Sequence, residues 1–198
     1  MEQLDVKTQM HRYLQMGRDG LLWKLDGLSE YDMRRPLLPT GTNLIGLVKH
    51  LTGVERGYFA DTFGRPLDGP MPIDWDDPFF DMWATRDEST AGLIEAYRRT
   101  CAHADETIKS LSLDATGRVP WWPEERGEVT LHHILIRVAT ETHRHLGHAD
   151  VVRELVDGAV GYFEGNTNLG DEDSGSPAWA DHRARVQEAA DTFLEGSG

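Results

Sequence analysis

Residues 130–156 read TLHHILIRVATETHRHLGHADVVRELV. Leu131, Ile134, Leu135, Val138, Thr142, Ala149, Val152 and Val156 recur at three- and four-residue steps, the pattern of one helix face turned to a core. Gly158 and Gly161 stop the pattern. At about 100° per residue, Glu141 and His145 fall within roughly 70° of a stripe centred on Val138, Thr142 and Ala149. His148 sits at the same edge, a little further out. His132, His133 and His143 fall outside the stripe. An ionised glutamate beside an apolar stripe is costly unless a cation or a hydrogen-bond partner compensates it.

The same period continues upstream. Val6, Met10, Tyr13, Leu14, Gly17, Leu21 and Leu25 mark a first helix, broken by Gly27 and by the run from Arg35-Pro36 to Pro39. A second helix is expected from an N-cap at Thr42 through Leu44, Leu47, Val48, Leu51, Val54 and Tyr58, closed by Gly64 and Pro66. A third is expected from the capping-box pair Thr85 and Glu88, with a stripe of Leu93, Ile94, Tyr97, Cys101, Ala104, Ile108 and Leu111. Two aromatic connections separate these helices. Residues 64–84 carry Trp75, Phe79, Phe80 and Trp83, and Trp121 and Trp122 stand between Pro120 and Pro123. Both read as loops packed over the bundle, as caps or as pocket walls. No alternating strand stands out beyond a short pair in the loops. The expectation is an all-α four-helix bundle over residues 1–160. Residues 161–198 add a mobile Gly/Asp/Ser-rich loop (165–177) and a C-terminal amphipathic helix with Trp179, His182, Val186, Ala190 and Phe193, packing on the same domain.

Composition limits the partners. The chain has 198 residues, with 20 Lys+Arg against 34 Asp+Glu, a net charge of −14. So acidic a surface repels nucleic-acid backbones and anionic membranes. No stretch approaches the ~20 apolar residues of a membrane span, and the N-terminus shows no signal-peptide pattern. One cysteine, Cys101, excludes an internal disulfide and fits a cytoplasmic setting. On the third helix's apolar stripe, Cys101 reads as a buried structural thiol, because no basic activator stands near it in sequence. Asp74, Asp76 and Asp77 read as a solvated acidic turn, since prolines interrupt any EF-hand spacing. Phosphate-loop, dinucleotide and Gly-x-Ser-x-Gly patterns are absent from the sequence.

Glu141 and His145 are four residues apart, so their side chains project together. His50, beside Leu47, Leu51 and Val54, is the candidate third group from another helix. Two readings of the trio follow from spacing. It is an open three-ligand site for a divalent ion, or it is a buried Glu–His hydrogen bond with His50 at the boundary. His148 either orients a bound water or substrate from behind the ligands or bonds a neighbour on its own helix. Arg144 and Arg153 are candidates for meeting an anionic substrate, Arg153 more readily as the surface partner of Asp150, Glu154 or Asp157.

The segment Glu141-Thr142-His143-Arg144-His145-Leu146-Gly147-His148, with Leu47-Val48-Lys49-His50 upstream and Leu37-Leu38-Pro39-Thr40-Gly41 leading into the second helix, resembles the DinB-like superfamily. Within it, the chain is most similar to actinobacterial proteins related to mycothiol-dependent maleylpyruvate isomerase, over about residues 5–157. The resemblance implies an up-down-down-up bundle and a divalent metal on His50, Glu141 and His145. Many members carry histidine where this chain has Glu141, and the maleylpyruvate isomerase branch carries glutamate. The metal implied is zinc, with nickel, iron and manganese as alternatives. A low-molecular-weight thiol such as mycothiol is the implied cofactor, and S-transfer or isomerisation of a small molecule the implied chemistry. A homodimer is also plausible by resemblance. A metal-dependent hydrolase and a non-catalytic metal-binding or stress-related interaction protein remain as alternatives.

Overall fold

The computed structural model of the chain describes residues 4–69, 74, 76–163, 165–166 and 174–194. Four long helices carry the apolar stripes. Helix α1 (Val6–Trp23) starts at Asp5, whose carboxylate accepts from the Thr8 N–H at 3.1 Å. A five-residue helix α2 (Glu30–Arg34), capped by Ser29, follows in the stretch read as a breaker. Helix α3 (Leu44–Glu55) begins one residue later than expected, because the Asn43 side chain rather than that of Thr42 accepts from the Gly46 N–H. It runs on as a π-helical turn, Arg56–Asp61. Helix α4 (Thr90–Ser110) is capped by Ser89, not Thr85. The Thr85–Glu88 pair does form half of a capping box: the Thr85 N–H donates to Glu88 at 2.7 Å. It closes a turn just before the helix because Lys49 holds the same carboxylate at 3.0 Å.

The connection to the last long helix contains strands β1 (Thr116–Arg118) and β2 (Glu128–Thr130), antiparallel with Thr116 opposite Thr130, and the short helix α5 (Glu124–Gly127). Helix α6 (Leu131–Asp157) is capped by Thr130 and ends at Gly158, whose φ of 80° is the left-handed conformation that glycine adopts without steric cost. Helix α7 (Pro177–Asp191) forms where the C-terminal amphipathic pattern lies, and none of its residues is buried. Trp75 and residues 167–173 of the Gly/Asp/Ser-rich loop lie outside the described residues.

Contacts set the helix directions. Gly17, Gly20 and Lys24 of α1 meet Thr142, Leu146 and Asp150 of α6 in that order, so these helices are parallel. His50 and Tyr58 of α3 meet Glu141 and then Arg137 of α6, so these two are antiparallel. Lys49 pairs with Glu88, and Arg65 just beyond α3 meets His103, so α3 and α4 are parallel. The bundle is therefore up-down-down-up. Parallel sequential neighbours oblige the chain to travel back along the bundle between them. That explains the long aromatic connection between α3 and α4, and it brings the 3₁₀ turn Phe80–Met82 against α3.

The core is in two parts. One cluster gathers Leu14, Phe59, Ile108, Leu135 and Val138. The other gathers Leu21, Leu47, Leu51, Tyr97, Ala149 and Val152. On α1, α3 and α6 the boundary between them is marked by polar groups: Arg18, Glu55, and the segment Thr142–His145, all buried except the two residues between Thr142 and His145. Arg18 Nε and Nη2 each donate to Glu55 at 2.7 Å, and Arg18 Nη1 donates to Asp105 at 2.7 Å.

Candidate metal centre

Helix periodicity places Glu141 and His145 one turn apart on α6, and the antiparallel approach of α3 sets His50 across from them. His145 Nε2 stands 3.1 Å from Glu141 Oε1, and His50 Nε2 stands 3.7 Å from the same oxygen. The two imidazoles meet edge to face with centroids 4.7 Å apart. One donor atom from each of the three residues lies within 4.8 Å of the others. Ligand atoms about 2.0–2.1 Å from a tetrahedral ion stand about 3.4 Å from one another. The 3.1 and 3.7 Å separations lie either side of that figure. The structure thus brings together all three of the residues that the sequence singled out, and it keeps His148 behind them, with its Nδ1 3.3 Å from His145 Nδ1.

The protonation pattern suits a cation. Burial favours a neutral Glu141, but the nearby imidazoles of His145 and His50 outweigh it and hold the carboxyl below its usual range. Burial, helped by His50, lowers His145 below the ordinary histidine value against the opposing pull of Glu141. Near pH 7 the group therefore offers a carboxylate and a neutral imidazole, hydrogen-bonded to each other at 3.1 Å and both of ligand type. Among the described residues, His50 Nε2 is buried and has no hydrogen-bond partner. A buried nitrogen without a partner costs stability, and a cation between it and Glu141 would satisfy it. The donor set and this orphaned atom both fit a divalent ion.

Asp81 completes the arrangement, and sequence spacing did not reveal it. Its carboxylate accepts from His50 Nδ1–H at 2.7 Å, which leaves Nε2 as the lone-pair nitrogen. Three features of α3 hold the turn that carries it. Gly46 lets the backbone come close: a Cβ there would overlap the Met82 carbonyl oxygen. The Asn43 amide donates to that oxygen at 3.1 Å, and buried Lys49 donates to the Trp83 carbonyl at 3.2 Å. Lys49 also lies over the Phe80 ring, 4.0 Å from its centre. Gly46, four residues before His50, was the available signal in the sequence, because an interior helical glycine marks a close approach.

A cavity of about 410 Å³ opens beside His50, Glu141 and Asp81. Gly53, Val54 and Tyr58 of α3 and its π turn form one wall, with Trp121 and Arg137 beyond, and Asp74, Asp77 and Pro78 stand at the loop side. Trp121 therefore walls the pocket, while Phe79 and Trp83 remain largely exposed. Gly57 in the π turn admits the Trp121 ring, since a Cβ there would stand 2.7 Å from it. Asp74 and Asp77 cap their own turns, accepting from the N–H groups of Asp76 and Phe79. Arg153 is bound to Asp157 and to the Lys24 and Asp26 carbonyls, away from the cavity, and Arg144 is exposed. Cys101 is buried, and burial pushes its thiol far above the thiolate range, next to the Glu55 carboxylate.

No helix among the described residues is long and apolar enough to cross a membrane. Comparison with functionally curated proteins gave no match. Among solved structures, a conserved protein from Enterococcus faecalis superposes with a TM-score of 0.56, over 78% of this chain and 98% of that one, at 14% identity. That likeness concerns the fold. The family model of mycothiol S-transferases matches residues 9–158, a span that includes His50, Glu141 and His145. The chain belongs to the mycothiol S-transferase family, a DinB-like family.

Proposed function

We propose that this protein is a divalent-metal-dependent thiol transferase, its metal held by His50, Glu141 and His145 and its sulfur supplied by a low-molecular-weight thiol, mycothiol by its family. The observation that carries the reading is His50 Nε2, a buried ring nitrogen without a hydrogen-bond partner among the described residues, 3.7 Å from a carboxylate oxygen at the wall of a cavity. Zinc is the first choice of ion, because three N/O ligands with an open position are its usual catalytic set; when bound it lowers the pKa of a thiol in the open position, so that thiolate exists at neutral pH.

The chain's own residues set the conditions. Glu141 would neutralise one of the two positive charges of a bound ion and leave it electrophilic. Asp81 fixes the His50 tautomer, and His148 Nδ1, 3.3 Å from His145 Nδ1, is the group that meets the other nitrogen of the His145 ring. Val54, Tyr58 and Trp121 give the cavity an apolar wall that limits water around the sulfur. Transfer then forms a bond from the thiol sulfur to an electrophilic carbon. The leaving group departs with its electron pair, and the S–H proton passes to solvent. We place the reaction in the cytoplasm, where thiol pools and Cys101 stay reduced.

The test is conjugation of monochlorobimane by the metal-free and the zinc-loaded protein, with mycothiol, glutathione and cysteine as donors. We expect turnover that requires metal, is fastest with mycothiol and is lost in His50→Ala. Lack of turnover with every thiol, in a protein that still binds zinc, would reduce the chain to a metal-binding protein. Ester or amide cleavage without thiol would move it to the hydrolases.

A further inference from the structure

The cavity at the metal centre adjoins a second groove of about 590 Å³, lined by Trp122, Pro123, Arg126, His133 and Arg137. Arg137 lines both spaces. Their charges are opposite. Among the described residues, the inner cavity has four carboxylates, Asp74, Asp77, Asp81 and Glu141, against one arginine, Arg137, and one histidine, His50. Among the described residues, the groove's lining has two arginines and a histidine and no carboxylate, in a chain of net charge −14.

Arg137 is exposed but held in place by its neighbours. Its Nε donates to the Tyr58 hydroxyl at 2.7 Å. Its guanidinium lies over the Tyr58 and Trp122 rings, 5.1 and 4.9 Å from their centres. These contacts occupy one edge and the faces of the group, and its two terminal nitrogens have no hydrogen-bond partner among the described residues. Arg137 stands one helical turn before Glu141 yet forms no ion pair with it or with any other described residue. Arg126 likewise has no carboxylate partner among the described residues. A fixed guanidinium with a free fork matches a carboxylate bidentately, and a second arginine lining the same groove adds charge.

We infer that the groove between Trp122, Arg126 and Arg137 is a binding site for a carboxylate-bearing organic molecule, with the carboxylate on the two guanidinium groups and its apolar part on the Trp122 ring. The site deepens the transferase reading, since it makes the electrophile an organic acid whose reactive carbon extends past Arg137 toward Glu141. Its binding test stands without that reading.

The probe is benzoate, with benzamide as the uncharged match, titrated into the metal-free protein and followed by NMR of the tryptophan indole and arginine side-chain signals. We expect saturable shifts that include the Trp122 indole N–H, with benzoate binding about tenfold or more tighter than benzamide. Arg126→Gln and Arg137→Gln are each expected to weaken benzoate about tenfold, with benzamide little changed. Because the Arg126 side chain has no partner among the described residues, its variant tests the groove without disturbing Tyr58. Equal affinity for the two probes, absence of saturable binding, or parental benzoate affinity in either variant overturns the proposal. Zinc uptake on the same samples separates a failure of the groove from a failure of the metal centre.

Discussion

Two glutamates near the middle of the bundle face opposite circumstances. Glu55 is fully buried and carries its own cation, with both oxygens on Arg18 at 2.7 Å. Glu141 is 38% exposed and faces imidazoles, one of them neutral at pH 7 by its lowered pKa. One polar centre is complete in the folded chain. The other hydrogen-bonds its carboxylate to His145 alone and leaves His50 Nε2 buried with no hydrogen-bond partner among the described residues. A buried pair that satisfies itself is structural, whereas an incomplete one that borders a cavity is the place to propose for an ion from solution.

Breaking the complete centre should have the largest effect. Arg18→Met strands Glu55 in the core and is expected to cost about 3–5 kcal/mol in urea unfolding. Combining it with Glu55→Leu should recover much of that loss, since the uncompensated charge is then gone. The incomplete centre should behave in the reverse way. His50→Ala is expected to change metal-free stability by about 1 kcal/mol or less. It should also abolish the stabilisation that zinc gives the parent protein, about 2.7 kcal/mol at a hundredfold excess over Kd. Equal destabilisation of the metal-free protein by Arg18→Met and His50→Ala would erase the distinction.

Smaller effects sharpen it. Asp81→Asn removes the carboxylate that sets the His50 tautomer, and we expect a 10–100-fold loss of zinc affinity in competition titrations. Gly46→Ala should weaken zinc in the same direction by pushing the Asp81 turn off α3, with the ligands themselves intact. The smallest effect is on acid stability. Burial opposes ionisation of Asp105, but hydrogen bonds from His11 and Arg18 outweigh it and lower its carboxyl. A lowered carboxyl contributes stability above the ordinary aspartate range, and that contribution disappears as pH falls through the folded-state value. Asp105→Asn should therefore flatten the acid limb of a stability–pH curve below about pH 4.

The long helices and the three clustered side chains were legible because both rest on helical period. The stripe on α6 fixes which face is inward, so Glu141 and His145 follow from one segment, and His50 follows from the stripe of α3. What lies between periodic segments was not legible. Asp81 reaches His50 from 31 residues along the chain through a turn whose position depends on Gly46, Asn43 and Lys49 together. Arg137 lay on the α6 segment itself, but only its stacking on Tyr58 and Trp122 makes it notable, and both rings come from other elements. Helix starts moved where a competing side chain won, as at Asn43 over Thr42, or where Lys49 drew Glu88 into an earlier turn. The π turn after Glu55 extends the helical trace without any residue pattern that distinguishes it from an α-helix.

The most direct test is a zinc titration of the metal-free protein beside its His50→Ala, His145→Ala and Glu141→Gln variants, read by competition with a chromogenic chelator. We expect one tightly bound ion per chain in the parent, no tight binding in either histidine variant and weakened binding in Glu141→Gln. A parent that takes up no stoichiometric zinc, nickel, iron or manganese, or a His50→Ala variant that binds as the parent does, would contradict the assignment of these three side chains to a metal.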